Sequence, residues 1–209
     1  MINISRRNLF LGAAVLGLVP LTTLPAFAAD KVDLSDLLTP EDNDMTMGKD
    51  DAKVTMVEYA SASCPHCAAF YKEVFPKIKA DYIDTGKVKF IFREFPHNQQ
   101  ALAAFMLARC SPKDKYFPLI DVFFNTQETW VPNAHDGLLN IMKQTGMSET
   151  DFDACLKNQD VAKGIIATRE KASTKYGVDG IPTIFVNGKV FTGEASYDDL
   201  KKVIDPLVK

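Results

Sequence analysis

The stretch of sequence that decides the fold reads VTMVEYASASCPHCAAF and occupies residues 54–70. Residues 54–59 are β-branched or apolar enough for a buried strand, which a single acid, Glu58, interrupts. Helical spacing takes over at Cys64, where apolar side chains begin to recur every four residues until about residue 83. The two cysteines of this stretch therefore lie where a predicted strand ends and a predicted long helix begins.

A second strand is predicted after this helix. Gly86 is expected to end the helix, and residues 88–92, VKFIF, predict the strand. A strand, a helix and another strand in succession imply a parallel pair of strands with a crossover helix. A short edge strand is predicted ahead of them at residues 45–47, after a polar and acidic run.

The middle of the chain has a different pattern. In residues 99–176 the apolar side chains fall at helical spacings, and prolines and a glycine divide the segment into four or five predicted helices. Strand signals return in residues 183–192 around Asn187-Gly188, the strongest two-residue hairpin signal. Ser196 is predicted to cap a final helix. The order β-α-β, helical block, β-β-α predicts an α/β domain that is interrupted by an all-helical insertion.

Composition and charge limit the class of protein. The 209 residues carry a formal net charge of −3, with 46% hydrophobic and 24% charged residues. These are globular proportions, which exclude collagen-like, low-complexity and wholly disordered chains. No basic excess is present to hold a phosphate backbone, so no nucleic-acid partner is expected.

The N-terminus is predicted to be a signal peptide spanning residues 1–28. An arginine pair at residues 6–7 precedes an uncharged stretch, and small residues before and after Ala28 suit a signal peptidase. The alternative is a membrane anchor, but two prolines break the second half of the stretch. Cleavage removes two arginines and no acid, which leaves 181 residues with a net charge of −5. Residues 29–44 would then form a tether, and the four cysteines would lie where disulfides persist.

The spacing of Cys64 and Cys67 points to thiol chemistry. A sulfur at a helix N-terminus meets unpaired backbone N–H groups and the positive end of the helix dipole, which favour thiolate over thiol. Pro65 suits the first helical turn because its missing N–H would be unpaired there anyway. His66 adds a donor and, when protonated, a positive charge. Cys67 lies close enough to attack a mixed disulfide on Cys64, so the pair is predicted to be redox-active and oxidising.

Other uses of a Cys-x-x-Cys pair fit this sequence less well. A structural zinc site needs a second close pair, whereas Cys110 and Cys155 are 45 positions apart. A c-type haem needs histidine directly after the second cysteine, and residue 68 is alanine. A thiolate module for Cu(I) or Zn(II) would need methionine or histidine ligands clustered near Cys64. No metal site and no cofactor are therefore predicted.

Two segments resemble the DsbA-type thiol:disulfide oxidoreductases of the thioredoxin superfamily. Residues 58–67, EYASASCPHC, are similar to the active-site segment of that family, and residues 180–188, GIPTIFVNG, resemble its cis-proline loop. The resemblance implies a thioredoxin-like fold. Its domain would consist of residues 45–97 and 178–209, with residues 98–177 as the inserted helical domain.

The resemblance also implies roles for individual residues. Cys64 would be the nucleophile that forms a mixed disulfide with a client protein, and Cys67 would be the buried resolving thiol. Pro182 would follow a cis peptide bond and place the Ile181 backbone against the sulfurs, where it holds an extended client. Glu58 matches the buried acid that exchanges protons with the resolving cysteine.

Glu58 and the histidines carry further expectations. An acid inside an apolar strand is costly without a functional reason, so burial and proton transfer are predicted for Glu58, with a solvent-facing acid as the alternative. Arg93 and Lys89 are candidates for its charge partner, and the spacing does not choose between them. His97 and His135 are predicted to be surface residues.

Cys110 and Cys155 are expected to form a disulfide within the insertion. Both fall in helical patterns, and in an oxidising compartment they would pair and stabilise the fold by roughly 4 kcal/mol in the chain-entropy model. Two buried free thiols are the alternative. Phe123, Phe124 and Trp130 are predicted to lie in the core of the insertion.

The resemblance implies a function and partners. The protein would donate its Cys64–Cys67 disulfide to reduced clients in the periplasm, and a DsbB-like membrane quinone reductase would re-oxidise it. The arginine pair resembles a twin-arginine export signal. About 16 residues separate the cleavage site from the first core strand, too few for the dimerisation domain of related isomerases, so a monomer is expected. A thiol reductase or isomerase and a copper or zinc module are the alternative functions.

Overall fold

A computed structural model describes residues 34–209 and builds them around a five-stranded sheet with the strand order β1-β3-β2-β4-β5. The predicted signal peptide and residues 29–33 of the predicted tether lie outside the described residues. The strands are β1 (Met45–Met47), β2 (Val54–Ala60), β3 (Val88–Glu94), β4 (Thr183–Val186) and β5 (Lys189–Thr192).

The central strand β2 determines which side chains share a face. It runs parallel to β3, with Glu58 opposite Phe92, and antiparallel to β4. Successive side chains on a strand point to opposite faces, so Glu58 and Met56 share one face while Val57 and Tyr59 lie on the other. The strand is apolar on both faces because both are covered by helices.

Ten α-helices surround this sheet within residues 34–209. Four belong to the same domain as the strands: α1 (Ser35–Leu38), α2 (Pro65–Glu73), α3 (Phe75–Ile78) and α10 (Tyr197–Leu207). The other six lie in residues 98–177: α4 (Gln99–Cys110), α5 (Tyr116–Asn125), α6 (Gln127–Trp130), α7 (Ala134–Gln144), α8 (Glu149–Leu156) and α9 (Gln159–Tyr176). The sequence predicted four or five helices in this segment, because a single turn such as α6 is too short to show a period.

The long helix predicted from Cys64 to about residue 83 is interrupted. Its first part, α2, ends at Glu73, and α3 begins at Phe75 with Pro76 in its first turn. Proline has no N–H to donate and its ring crowds the carbonyl four residues earlier, so one continuous helix cannot pass through residue 76. A π-helical turn then spans Lys79–Ile83.

Two apolar clusters cover the two faces of the sheet. The larger one joins the face that carries Met56 to α2, α3, α10 and most of the insertion. The smaller one joins the opposite face to α1 and α9, and it includes Tyr59, Phe185 and Tyr176. The insertion therefore begins on one face of the sheet and its last helix covers the other.

Two buried ion pairs anchor β3 to neighbouring segments. The Arg93 guanidinium donates to both carboxylate oxygens of Asp44, at 2.9 and 2.7 Å, and to the Leu37 carbonyl at 2.9 Å. Residues 34–44, the described part of the predicted tether, thus pack against the sheet. On the other face, Arg109 of α4 donates to both oxygens of the buried Glu94. That second pair joins the insertion to β3.

No helix within residues 34–209 is both long enough and apolar enough to cross a membrane.

Candidate active site

The two cysteines of the CPHC sequence lie at the N-terminus of α2, in the turn that follows β2. Cys64 is the N-cap residue in an extended conformation, with φ −86° and ψ 122°, and Pro65 is the first helical residue. The Cys64 N–H donates to the Ser61 carbonyl at 3.0 Å, which closes the turn. The Cys64 carbonyl accepts from the Ala68 N–H at 3.0 Å, the first bond of the helix. The strand and helix place the dithiol as the sequence predicts.

The Cys64 thiol is acidic for a cysteine. Its pKa is lowered from 9.0 to about 6, chiefly because the Cys67 thiol donates a hydrogen bond to its sulfur. Backbone N–H groups of Cys67 and His66 and the charge of His97 lower this pKa further, while burial opposes them. Cys64 is therefore largely a thiolate at neutral pH.

Cys67 has the opposite character. Its side chain is wholly buried, and burial raises the pKa of its thiol well above 9.0. The hydrogen bond that it donates to Cys64 raises the pKa further, because the bond is lost on deprotonation. The reduced site thus holds one thiolate, at Cys64, and one thiol, at Cys67.

A cis peptide bond between Ile181 and Pro182 lies against this pair. The Cys64 Sγ is 3.8 Å from the Ile181 carbonyl oxygen. Pro182 is buried directly ahead of β4, which pairs with β2 from Thr183 onward. The loop therefore presents main-chain groups of Ile181 beside the Cys64 sulfur.

His66 contacts the loop between β5 and α10. Its Nδ1 atom lies 3.1 Å from the Glu194 carboxylate, and both side chains are largely exposed. Sequence reasoning did not identify Glu194, because 128 positions separate the two residues and no motif surrounds it.

Glu58 lies close enough to Cys67 to act on its thiol, and it has no charge partner within residues 34–209. Its side chain is fully buried, and neither carboxylate oxygen has a hydrogen-bond partner among the described residues. Burial raises the pKa of Glu58 well above its ordinary value, and its charge acts on the Cys67 thiol. Tyr71, one helical turn after Cys67, also has a buried hydroxyl without a partner in residues 34–209. The site therefore combines a buried carboxyl and a buried hydroxyl near the Cys67 thiol.

Neither candidate for the charge partner, Arg93 or Lys89, pairs with Glu58. Arg93 binds Asp44, and the Lys89 ammonium binds Asp50 at 2.7 Å. Glu58 of β2 pairs with Phe92 of β3, so the two side chains lie on the same face of the sheet. Residues 89 and 93 of β3 lie an odd number of positions from residue 92. Both cations therefore point to the other face of the sheet.

Polar residues that sequence reasoning did not assign surround the turn before Cys64. The Ser61 hydroxyl lies 2.7 Å from Nδ1 of His97, and the Ser63 hydroxyl donates to Asn98 at 2.9 Å. His97 is exposed, as predicted, yet its charge reaches Cys64. The sequence held one indication that residues 97–98 lie near the dithiol. The carboxyl ends of parallel strands lie at the same edge of a sheet. Residues 97–98 follow β3 as the turn follows β2.

Another unassigned residue comes from the insertion. Gln127, the first residue of α6, is buried and donates from its side-chain amide to the carbonyls of Ala62 and Cys64, at 2.8 and 3.0 Å. Phe123 and Trp130, which bracket it, are buried in the core as predicted. No local sequence pattern links residue 127 to residue 64.

The remaining cysteines lie in the insertion. Cys110, at the end of α4, is joined by a disulfide to Cys155 in α8. His135 is exposed, as predicted. Within residues 34–209, no group of three or more His, Cys, Asp or Glu side chains is arranged to hold a metal ion.

The sheet, the dithiol at the start of α2 and the facing cis-proline loop define a thioredoxin-fold protein with an inserted helical domain. Comparisons with known proteins agree. A family model described as thioredoxin matches residues 40–206. The crystal structure of Wolbachia pipientis alpha-DsbA1 is similar with a TM-score of 0.77 and 32% identity, over 83% of this chain and 94% of that chain.

Two curated relatives have names that refer to disulfide chemistry. The chain is 33% identical to disulfide bond formation protein D of Bacillus subtilis, over 78% of this chain and 76% of that protein. It is 34% identical to a Rickettsia bellii protein whose name places it among the protein-disulfide oxidoreductases. That match covers 81% of this chain but 66% of the relative's length. The chain belongs to the DsbA-type thiol:disulfide oxidoreductases of the thioredoxin superfamily, and its fold is the predicted one.

Proposed function

We propose that this protein is an exported thiol:disulfide interchange protein that donates the Cys64–Cys67 disulfide to reduced client proteins. The observation that carries the proposal is the pairing of an acidic Cys64 thiol with the buried, non-acidic thiol of Cys67. A stabilised thiolate favours the reduced form of the enzyme, and the disulfide form is correspondingly oxidising. The names of the relatives support the same chemistry.

The reaction proceeds by two thiol–disulfide exchanges. A client thiolate attacks Sγ of Cys64 in the oxidised enzyme, the bond between Cys64 and Cys67 breaks, and Cys67 leaves with the electron pair and takes up a proton. A second client thiolate then attacks the client sulfur of the mixed disulfide. Cys64 leaves as the thiolate that its surroundings stabilise, and the client keeps the disulfide.

The cis-proline loop supplies the surface for the client. The Ile181 carbonyl borders the Cys64 sulfur, and Pro182 fixes the loop ahead of β4. An extended client segment can lie along this main chain with its cysteine directed at Cys64. A cleft of about 360 Å³ between α2 and the loop after β5 adjoins the site, with His66 and Phe70 in its lining.

Glu58 is the group that exchanges a proton with Cys67 in this proposal. Its raised pKa keeps a proton available in the buried interior, where the departing Cys67 thiolate has no solvent donor. During re-oxidation the same carboxylate takes the proton back from Cys67. A carboxyl without any partner in the described residues is otherwise hard to explain in an apolar cluster.

Replacing Glu58 by glutamine is expected to slow mixed-disulfide formation by roughly tenfold to 100-fold, because an amide cannot transfer the proton. The variant should also be more stable by about 1–3 kcal/mol in mildly alkaline buffer. Since the folded pKa of Glu58 is raised, the wild type loses stability as pH rises above the ordinary value of 4.5, and the amide does not. Stopped-flow kinetics and urea unfolding at several pH values measure both effects.

The matched control for that substitution is Glu170→Gln, which changes an exposed acid of α9. It should alter neither the exchange rate nor the pH dependence of stability. Unchanged exchange kinetics in Glu58→Gln would rule out the proton-transfer role.

The remaining parts of the proposal concern location and partners. The predicted signal peptide, residues 1–28, would direct the protein to the periplasm, with cleavage near Ala28 and the arginine pair suggesting the twin-arginine route. There the protein would act as a monomer. A DsbB-like membrane quinone reductase would accept the electrons of the reduced dithiol and restore the disulfide.

The reduction potential of the Cys64–Cys67 couple against glutathione tests the proposed function. We expect a potential well above the value of about −270 mV that characterises thioredoxin. The lowered pKa of Cys64 stabilises the reduced form through its thiolate. This stabilisation is complete above the thiol's ordinary pKa of 9.0 and is lost as pH falls through about 6. A potential near that of thioredoxin would instead identify a thiol reductase. Replacing both Cys110 and Cys155 by serine gives the control in which a single couple titrates.

A further inference from the structure

The side chain of Gln127 joins the helical insertion to the catalytic turn. Gln127 is 6% exposed, and its amide nitrogen donates to the carbonyl oxygens of Ala62 and Cys64 at 2.8 and 3.0 Å. A glutamine amide has two N–H donors, so both are directed at the turn that carries the attacking cysteine. The bond to Ala62 spans 65 positions of the sequence, and the bond to Cys64 spans 63.

The two acceptors determine the orientation of the Cys64 peptide. Rotation about the Cα–C bond of Cys64, the ψ angle of 122°, turns its carbonyl and the peptide that follows as one planar unit. The Cys64 carbonyl is held from two sides, by Gln127 and by the Ala68 N–H at 3.0 Å. The Ala62 carbonyl, held by the same amide, fixes the turn on the other side of residue 63.

This orientation matters for the sulfur because the N–H groups that stabilise the Cys64 thiolate belong to the next peptides. Hydrogen bonding from the backbone N–H groups of His66 and Cys67 lowers the pKa of Cys64. These N–H groups lie in the first turn of α2, where they have no carbonyl partner within the helix. Their direction relative to Sγ depends on the ψ angle that the carbonyl contacts hold. A loose Cys64 peptide would let these donors turn away from the sulfur.

Gln127 itself is held firmly. It begins α6, and three residues later the Trp130 side chain is 1% exposed, with its indole N–H donating to the Phe123 carbonyl at 2.8 Å. The short helix is thus fixed in the core of the insertion. A rigid support of this kind limits how far a hydrogen-bonded amide can move with its acceptors.

We propose that Gln127 is a positioning residue that holds the Cys64 peptide so that the following N–H groups face the Cys64 sulfur. The inserted domain therefore takes part in setting the reactivity of the dithiol. This role deepens the proposed function, because it assumes that the Cys64 thiolate is the reactive species.

Two substitutions of Gln127 test the inference in the full-length reduced protein. Gln127→Met keeps the length of the side chain and removes both donors, and Gln127→Leu removes both donors with a shorter side chain that is also uncharged. In each variant we expect the pKa of Cys64 to rise by about one unit, which corresponds to a roughly tenfold weaker thiolate preference. The equilibrium constant for oxidation of glutathione should fall by about tenfold in parallel. Thiolate absorbance titration and redox equilibration measure the two quantities.

The control is a second glutamine that lies in another helix of the insertion. Gln144→Met, at the exposed end of α7, should leave both quantities unchanged. If Gln127→Met lowers thermal stability but leaves the Cys64 pKa and the glutathione equilibrium at wild-type values, the amide is structural and the inference is overturned. Gln127→Leu, which also removes both donors and adds no charge, decides the matter in the same way if the methionine variant does not fold.

The titration also separates this inference from the proposed function. It follows the Cys64 thiolate directly and needs no client protein. A wild-type protein that fails to oxidise reduced clients would contradict the proposed function, and a shifted Cys64 pKa in the Gln127 variants would still support the positioning role.

Discussion

Cys67→Ala is expected to lose client oxidation completely, down to the uncatalysed rate, while Cys64 remains reactive. The variant cannot form the Cys64–Cys67 disulfide, so it has no oxidising equivalent to donate. Its Cys64 thiolate can still attack oxidised glutathione, which releases one glutathione and leaves the other bound to Cys64. No neighbouring thiol is present to displace it, and the mixed disulfide should persist.

The same substitution should make Cys64 a weaker nucleophile at neutral pH. The hydrogen bond from the Cys67 thiol is the largest cause of the lowered Cys64 pKa, and alanine removes it. The thiolate fraction of Cys64 should therefore fall, and capture of glutathione should be slower at neutral pH than in alkaline buffer.

Intact-protein mass spectrometry and a client oxidation assay measure these outcomes together. The expected mass corresponds to one glutathione per Cys67→Ala molecule and to none for Cys64→Ala, the matched control. The buried Cys67 thiol should not replace Cys64 as the nucleophile, since burial raises its pKa. Client oxidation by Cys67→Ala at any appreciable rate would contradict the dithiol mechanism.

Arg93→Met is expected to cause the largest loss of stability. The Arg93 side chain is 2% exposed and that of Asp44 is 7% exposed, so removing the cation leaves a buried carboxylate without its partner. Breaking a buried pair in this way costs about 3–5 kcal/mol. For a chain of this size the melting temperature should fall by about 10 °C. Thermal and urea unfolding give the two values.

Two further variants make the Arg93 prediction specific. Lys89→Met removes a cation from the same strand and face, but its partner Asp50 is 94% exposed, so the cost should stay below about 1 kcal/mol. Combining Arg93→Met with Asp44→Leu should recover much of the loss, because no unpaired charge remains. A loss in Arg93→Met no larger than that of Lys89→Met would show that the buried pair adds little.

The local patterns in the sequence predicted the elements of the fold well. The strand predicted at residues 54–59, the hairpin at Asn187-Gly188 and the final helix capped by Ser196 are all present. Each depends on neighbours within a few residues, through alternation, turn geometry or capping. The interrupted helix at Pro76 was predictable on the same grounds, since proline is incompatible with a helix interior.

The site was predictable where its residues share a motif. Cys64 and Cys67 follow from their spacing and from the helix start, and the cis bond before Pro182 follows from the family resemblance. Gln127 and the pairing of Arg93 with Asp44 were not accessible in this way. Both depend on packing between segments that are 49 or more positions apart, and side-chain periodicity does not report such distances.

The helical insertion packs against both faces of the sheet, so it cannot be separated cleanly from the thioredoxin-like domain. Helix α9 is the last insertion helix, yet its Ala172 and Tyr176 cover Tyr59 and Phe185 of the sheet. Excising the segment at its sequence boundaries would uncover that face. Exchange or shortening of this segment is therefore constrained on both faces of the sheet, because α9 shields one face while Arg109 of α4 and Gln127 of α6 contact β3 and the catalytic turn.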